Sequence, residues 1–262
     1  IVRICRLVEG MPLAILLAAA WVEVLTPAEI AAEIGKSLDF LQSEWRAVPE
    51  RQHSLRAVFD HSWSLLADSD REAFIQLSVF RGGFTREAAE ATGVSLSELR
   101  GLTGTSFLQY AATSERYGVH ELLRQYGAEK LVAAPSTWFT AHDRHSAHYT
   151  AVLERSVEDV RDPRRRAAVA QIDADGDNVQ AAWQWAVAHD KIDRLDRAME
   201  GLAQFYRRGG RYQQGEVAFR SAVEHLTTGE ASPAHPRADA TGTAGALSVL
   251  ARALVWQAYF SR

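Results

Sequence analysis

Apolar residues recur at three- and four-residue intervals along almost the whole chain, which predicts a mainly helical protein. Ile1, Ile4, Cys5 and Val8 start one such stripe, and Pro12 sets the first turn of a second, very apolar helix expected over residues 13–24. Thr26-Pro27-Ala28-Glu29 carries the cap, first-position proline and capping-box carboxylate of a third. Leu55, Val58, Phe59, Ser62, Trp63 and Leu66 share one helical face, and Asp68-Ser69-Asp70 is expected to cap the next helix, with Phe74, Leu77 and Phe80 inside. Gly82-Gly83 closes that helix. Thr85 opens a short helix to Gly93, and Ser95 or Ser97 opens another through Leu102. Phe107 to Tyr110 and Arg116 to Val119 then read as extended and predict a two-stranded hairpin, followed by a helix over 121–132 with Leu122, Leu123, Tyr126 and Leu131 inward. Three helices and a ribbon make a winged-helix arrangement.

After Pro135 the pattern is helical in pairs, with helices expected over 137–160, 163–172, 178–189, 193–208, 213–226 and 243–260. Leu202, Ala203, Tyr206, Gly210, Tyr212, Gly215, Phe219 and Ala222 have the small and aromatic spacing of a tetratricopeptide-like pair, although Thr227 stands where that repeat expects proline. Ser232 to Thr243, rich in Pro, Ala, Gly and Thr, reads as a loop. The domains predicted are a helical subdomain (1–50), a winged helix (51–134) and an incomplete helical-repeat array (135–262).

Composition narrows the function classes. The chain has 262 residues, 47% of them hydrophobic, enough to bury a real core. Its one cysteine, Cys5, excludes an intramolecular disulfide and points to a reducing cytoplasm. The longest apolar run, Leu13 to Val22, is about half of what a membrane span needs. Lys plus Arg against Asp plus Glu runs 4 to 7, 9 to 10 and 16 to 16 over the three domains, so none is basic and DNA or RNA contact is disfavoured. A start at Ile1 inside a helical pattern and a stop at Arg262 inside another suggest a piece of a longer protein.

Two segments carry the candidate chemistry. Gly10-Met11-Pro12 joins two helices, and His120 stands where a strand becomes a helix in Val119-His120-Glu121-Leu122-Leu123-Arg124. A helix start offers unpaired N–H groups and a positive dipole end, so His120 and the amides after it could together hold a phosphate. Taken singly, a Gly-x-Pro break and a capping histidine are ordinary structural features. His142, His145 and His148 lie on neighbouring turns but drift around the helix and lack a fourth ligand, so no metal site is expected. Gly35-Lys36-Ser37 is no phosphate cradle, since Ile30 stands where the first glycine belongs and the preceding residues are helical. The arginine runs 164–166 and 207–208 read as solvated faces, and no nucleophile–base–acid constellation is evident.

In its order of Gly-x-Pro junction, winged helix, terminal histidine and helical repeats, the chain resembles the C-terminal half of STAND-class, NB-ARC-type ATPase regulators, especially large bacterial transcriptional activators. Ser54 to Leu66 and Val119 to Leu131 carry most of the likeness. The resemblance implies that Gly10, Pro12 and His120 bind nucleotide, Pro12 packing against adenine and His120 approaching the β-phosphate of ADP, with Val119 and Glu121 replacing the family's flanking methionine and aspartate. It implies ADP or ATP as ligand, with magnesium held only through an upstream core, and therefore no catalysis by this piece alone. It further implies a protein or small-molecule inducer on the repeats, and an oligomer when active. The alternatives from sequence are a helical-repeat interaction scaffold without nucleotide, and a winged-helix DNA binder.

Overall fold

The computed structural model describes residues 1–22, 24–42, 54–157, 172–228 and 240–261, the last segment with side chains from 245 onward. The fold is mainly α with one small antiparallel sheet, and it divides into two compact units, Ile1–Ala141 and His142–Arg262. The first unit holds both the helical subdomain and the winged helix.

In the first unit, α1 (Val2–Leu7), α2 (Pro12–Ala19) and α3 (Pro27–Lys36) build the subdomain. The Thr26–Glu29 capping box forms as the sequence predicts. Helix α2 stops five residues short of the expected Val24, because Trp21 turns away to stack on Phe40 at 4.8 Å and donate its indole N–H to the Phe40 carbonyl. Gly35 and Lys36 lie in the last turn of α3, and Ser37 caps a 3-10 turn, so this triplet has no strand-loop-helix setting.

The winged helix comprises α4 (Leu55–Ser64), α5 (Asp68–Leu77), β1 (Gly83–Thr85), α6 (Arg86–Thr92), α7 (Leu96–Gly104), β2 (Gln109–Ala111), β3 (Arg116–Gly118) and α8 (Glu121–Val132). Two expectations are corrected. The N-cap of α5 is Ala67, and Asp68 and Asp70 act from the first turn through the helix dipole. The sheet has three strands in the order β1-β3-β2, because Gly83–Thr85 pairs with β3. Gly82, at φ +75, reverses the chain so that Phe84 is fully buried between Phe80 and Tyr117. A three-residue strand is too short to show an alternation in sequence. Ser95, not Ser97, caps α7, with Glu98 completing the box.

Helix α8 is the spine of this unit. Leu122, Tyr126 and Leu131 are buried, and the Tyr126 ring meets Phe59 and Trp63 edge-on. Gly127 lets α8 approach α5: a Cβ there would stand 2.9 Å from the Phe74 ring. Arg56 of α4 ties the subdomain to α8, pairing with Asp39 and, through two nitrogens, with Glu129.

In the second unit the chain continues from α9 (Pro135–Arg155), which the domain division crosses, through α10 (Gly176–Ala188), α11 (Ile192–Arg208), α12 (Tyr212–Thr228) and α13 (Ala240–Phe260). Short turns join α10 to α11 and α11 to α12, as antiparallel helix pairs require. Leu202, Ala203, Tyr206, Phe219 and Ala222 are buried as the repeat pattern predicts, and Gly215 lets the Phe260 ring pack about 3.0 Å from where its Cβ would be. Of the expected helix 163–172 only Ile172 is described, helical and buried; residues 163–171, with the arginines at 164–166, lie outside the described residues, as do residues 158–160 and 232–239. Residues 240–243, expected in the loop, are helical.

Asp143 is held by both oxygens on Arg194 (2.8 and 2.9 Å) and by Lys191 at 3.2 Å. Burial pushes its carboxyl up, but these cations win and hold it at about 2, against an ordinary 3.8. A depressed carboxylate contributes stability above its unfolded value, near about 4, which is lost as pH falls through the folded value. With water screening the pair, the contribution is about 1 kcal/mol. Asp143→Asn is expected to cost that much at neutral pH, with the gap to the parent closing between about pH 4 and pH 2 in denaturant titrations.

Candidate functional site

The two segments singled out in the sequence meet. Helix α1 ends at Val8, and Glu9 (φ 44) and Gly10 (φ +74) follow in left-handed backbone, turning the chain into Met11 and Pro12. Glycine takes that conformation freely, whereas Glu9 is strained there, so something must hold it. The Val8 carbonyl accepts the Met11 N–H at 2.8 Å and faces Nε2 of His120 at 3.1 Å. His120 is buried, 112 residues away in sequence, and is the N-cap of α8. Its Nδ1 accepts the Leu122 N–H at 3.2 Å, so the proton sits on Nε2 and is donated to Val8. Beside it the Glu121 N–H donates to the Glu9 carboxylate at 3.1 Å.

This clasp revises the expected role of the α8 amides. They are not free for a phosphate here: His120 serves Leu122, and Glu9 places an anion at the positive end of α8. The donors are nonetheless those an anion needs, Nε2–H of His120 and N–H of Glu121, and an exposed carboxylate already stands among them. The residues therefore fit a phosphate chemically, once Glu9 withdraws. Pro12 occupies the first position of α2, immediately beyond the clasp.

Arg124 keeps this end of α8 from becoming acidic. It is buried, grips Glu121 through two bonds of 2.8 Å, and reaches the Ser78 carbonyl that ends α5. Burial pushes the Glu121 carboxyl up, but Arg124, Gln125 and the charge of Arg81 outweigh it and hold the group below its ordinary value. Sequence reasoning missed Val8, Glu9 and Arg124. The Glu121–Arg124 spacing of three residues was the one signal available for the last.

Other sequence candidates resolve as structural. His145 faces the Asn178 side chain at 3.3 Å, His142 packs on Trp185, and His148 packs edge-on to Tyr149. Among the described residues no group of His, Cys, Asp or Glu is arranged to hold a metal. Trp183 is buried and donates to the Ala218 carbonyl. The exposed face of α7 presents Leu96, Ser97 and Arg100, a single cation. No helix among the described residues is long and apolar enough to cross a membrane.

No protein-family model matches the chain. It is 30% identical over 232 residues to a protein of Mycobacterium bovis provisionally named an HTH-type transcriptional regulator, the match covering 85% of this chain and 26% of that one. The Mycobacterium tuberculosis counterpart matches equally. An uncharacterized protein of Mycobacterium tuberculosis is 32% identical over 140 residues, 49% of this chain and 36% of its own. The chain thus spans about a quarter of the length of the regulators it matches. A Pyrococcus horikoshii protein, described as a signal transduction ATPase with numerous domains and a tetratricopeptide repeat sensor, aligns over 93% of this chain and 47% of its own. At 14% identity and a TM-score of 0.28 it is too distant to carry an argument.

Proposed function

We propose that this chain is the regulatory segment of an ADP/ATP-dependent switch in a transcriptional regulator. The observation that carries the reading is the clasp: Val8 and Glu9, next to Gly10-Met11-Pro12, are bonded to His120 and Glu121. Similarity to part of a protein named as a transcriptional regulator supports the setting. In this reading Nε2–H of His120 and the Glu121 amide take the β-phosphate in place of Val8 and Glu9, and Pro12 borders the adenine. The bound diphosphate supplies the negative charge that holds the two segments together in the off state, and an upstream core supplies the magnesium and most of the nucleotide contacts. The helical array biases the equilibrium when it takes up an inducer. DNA recognition falls to another part of the longer protein, because α7 offers one exposed cation and the Asp70 carboxylate lies against Gly101.

The test is calorimetric titration of ADP into the protein extended upstream to include the proposed nucleotide-binding core. Tight binding that Pro12→Ala with His120→Ala abolishes is the expected result. Binding indifferent to both substitutions would return the chain to the scaffold reading.

A further inference from the structure

Two carboxylates stand at the first turn of α8, where the switch reading above puts a phosphate. Glu9 accepts the Glu121 N–H at 3.1 Å, and the second carboxyl belongs to Glu121 itself, the residue whose amide is the donor. Glu9 is exposed and lies on a turn in strained backbone, so it can withdraw. Glu121 cannot, because it is part of the helix that donates. An anion that takes the place of Glu9 therefore meets another negative charge one side chain away, unless that charge is cancelled.

Arg124 cancels it. Three residues along α8, its Nε and Nη2 each donate to one Glu121 oxygen at 2.8 Å, the planar two-point pairing that a guanidinium makes and an ammonium does not. Its Nη1 turns to the Ser78 carbonyl at 3.4 Å, so the end of α5 anchors the cation from a second helix. Gln125 adds a bond to the same carboxylate at 3.2 Å but brings no charge. The Arg124 side chain is 9% exposed, so water screens this pair far less than the exposed Arg86–Glu90 pair of α6. A buried ion pair is a poor source of stability, since desolvation offsets the attraction. Its position beside the clasp is better explained by what it does to the charge there.

We infer that Arg124 is a positioning residue of the proposed nucleotide site: by pairing with Glu121 it makes the head of α8 electrically able to hold a diphosphate. This rests on the switch reading above.

The test is a mutant cycle read by calorimetric titration of ADP into the upstream-extended protein. Arg124→Gln leaves the Glu121 charge facing the ligand and should weaken ADP binding about tenfold at neutral pH. Glu121→Gln leaves the guanidinium uncompensated and should tighten it about threefold. The double variant is neutral at both positions, as the parent pair is in sum, and should return to within about threefold of the parent. Competition from Glu9 shrinks these shifts without reversing them, because a diphosphate carries more negative charge than one carboxylate. A pH profile adds a signature. Burial pushes the Glu121 carboxyl up once the Arg124 cation is gone, so the deficit of Arg124→Gln against the parent is full above that titration and closes as pH falls from about 8 toward about 5. Arg81 and Glu9, which also face Glu121, and His120, which precedes it, are common to both proteins and drop out of the ratio.

A merely structural arginine would give another pattern, in which both single variants weaken ADP binding at every pH and the double variant recovers nothing. That pattern overturns the inference, as does an Arg124→Gln protein that binds like the parent. Should Arg124→Gln fail to fold, Glu121→Gln decides alone: tighter binding supports the inference, and equal or weaker binding overturns it. If the parent takes up no ADP, or His120→Ala leaves binding unchanged, the switch reading has failed and this inference with it. If His120→Ala weakens ADP binding and the Arg124 cycle is flat, only this inference falls.

Discussion

Gly201→Ala is expected to destabilise the helical array by about 3 kcal/mol or more, enough to unfold much of it at moderate temperature. A Cβ built on Gly201 of α11 would stand 2.1 Å from the Leu153 carbonyl oxygen, 2.7 Å from its carbon and 3.1 Å from its Cα. These are backbone atoms of α9 and cannot swing aside as the end of a side chain could, so the helices must separate. The local preference has the opposite sign, because alanine is the better helix former by about 1 kcal/mol. Gly35 supplies the control. It lies in α3 with nothing within 4 Å of its missing Cβ, and Gly35→Ala should stabilise by up to about 1 kcal/mol. Urea unfolding followed by far-ultraviolet circular dichroism separates the two. A Gly201→Ala midpoint at or above the parent's would show that α9 and α11 do not approach as described.

That contact also marks where the sequence stops being informative. The elements were legible because their signals are local: Thr26 with Glu29, Ser95 with Glu98, and the inward spacing of Leu122, Tyr126 and Leu131 each lie within one or two helical turns. Gly201 carries no local signal, since the atom that requires it is 48 positions earlier. Strand β1 was hidden for a related reason, its partner Tyr117 being far along the chain and its length too short for a period of two. Gly10, Pro12 and His120 were found through the resemblance and not through spacing, and the structure adds what spacing could not. Their neighbours Val8 and Glu9 do the bonding, through a carbonyl that every residue has and a carboxylate that reads as solvent-facing.

Opposite shifts in ADP affinity are expected from the two sides of the clasp. His120→Ala removes the donor proposed for the phosphate together with the cap on Leu122, and should weaken ADP binding by the upstream-extended protein about tenfold or more. Glu9→Ala removes the exposed carboxylate that holds the Glu121 amide in the absence of ligand. A carboxylate at a helix start is worth about 1 kcal/mol, so the competent state should gain population and the apparent affinity should rise about fivefold. Stability decides between this and a general loosening. Both substitutions should lower the nucleotide-free melting temperature, since each deletes a bond joining residues 112 apart. Only for His120→Ala should affinity fall with it. If Glu9→Ala weakens ADP as His120→Ala does, the clasp is scaffolding that the ligand uses intact; if neither shifts affinity, the nucleotide does not reach α8. A rise for Glu9→Ala alone would mean that the anion now at the head of α8 is the one that ADP replaces.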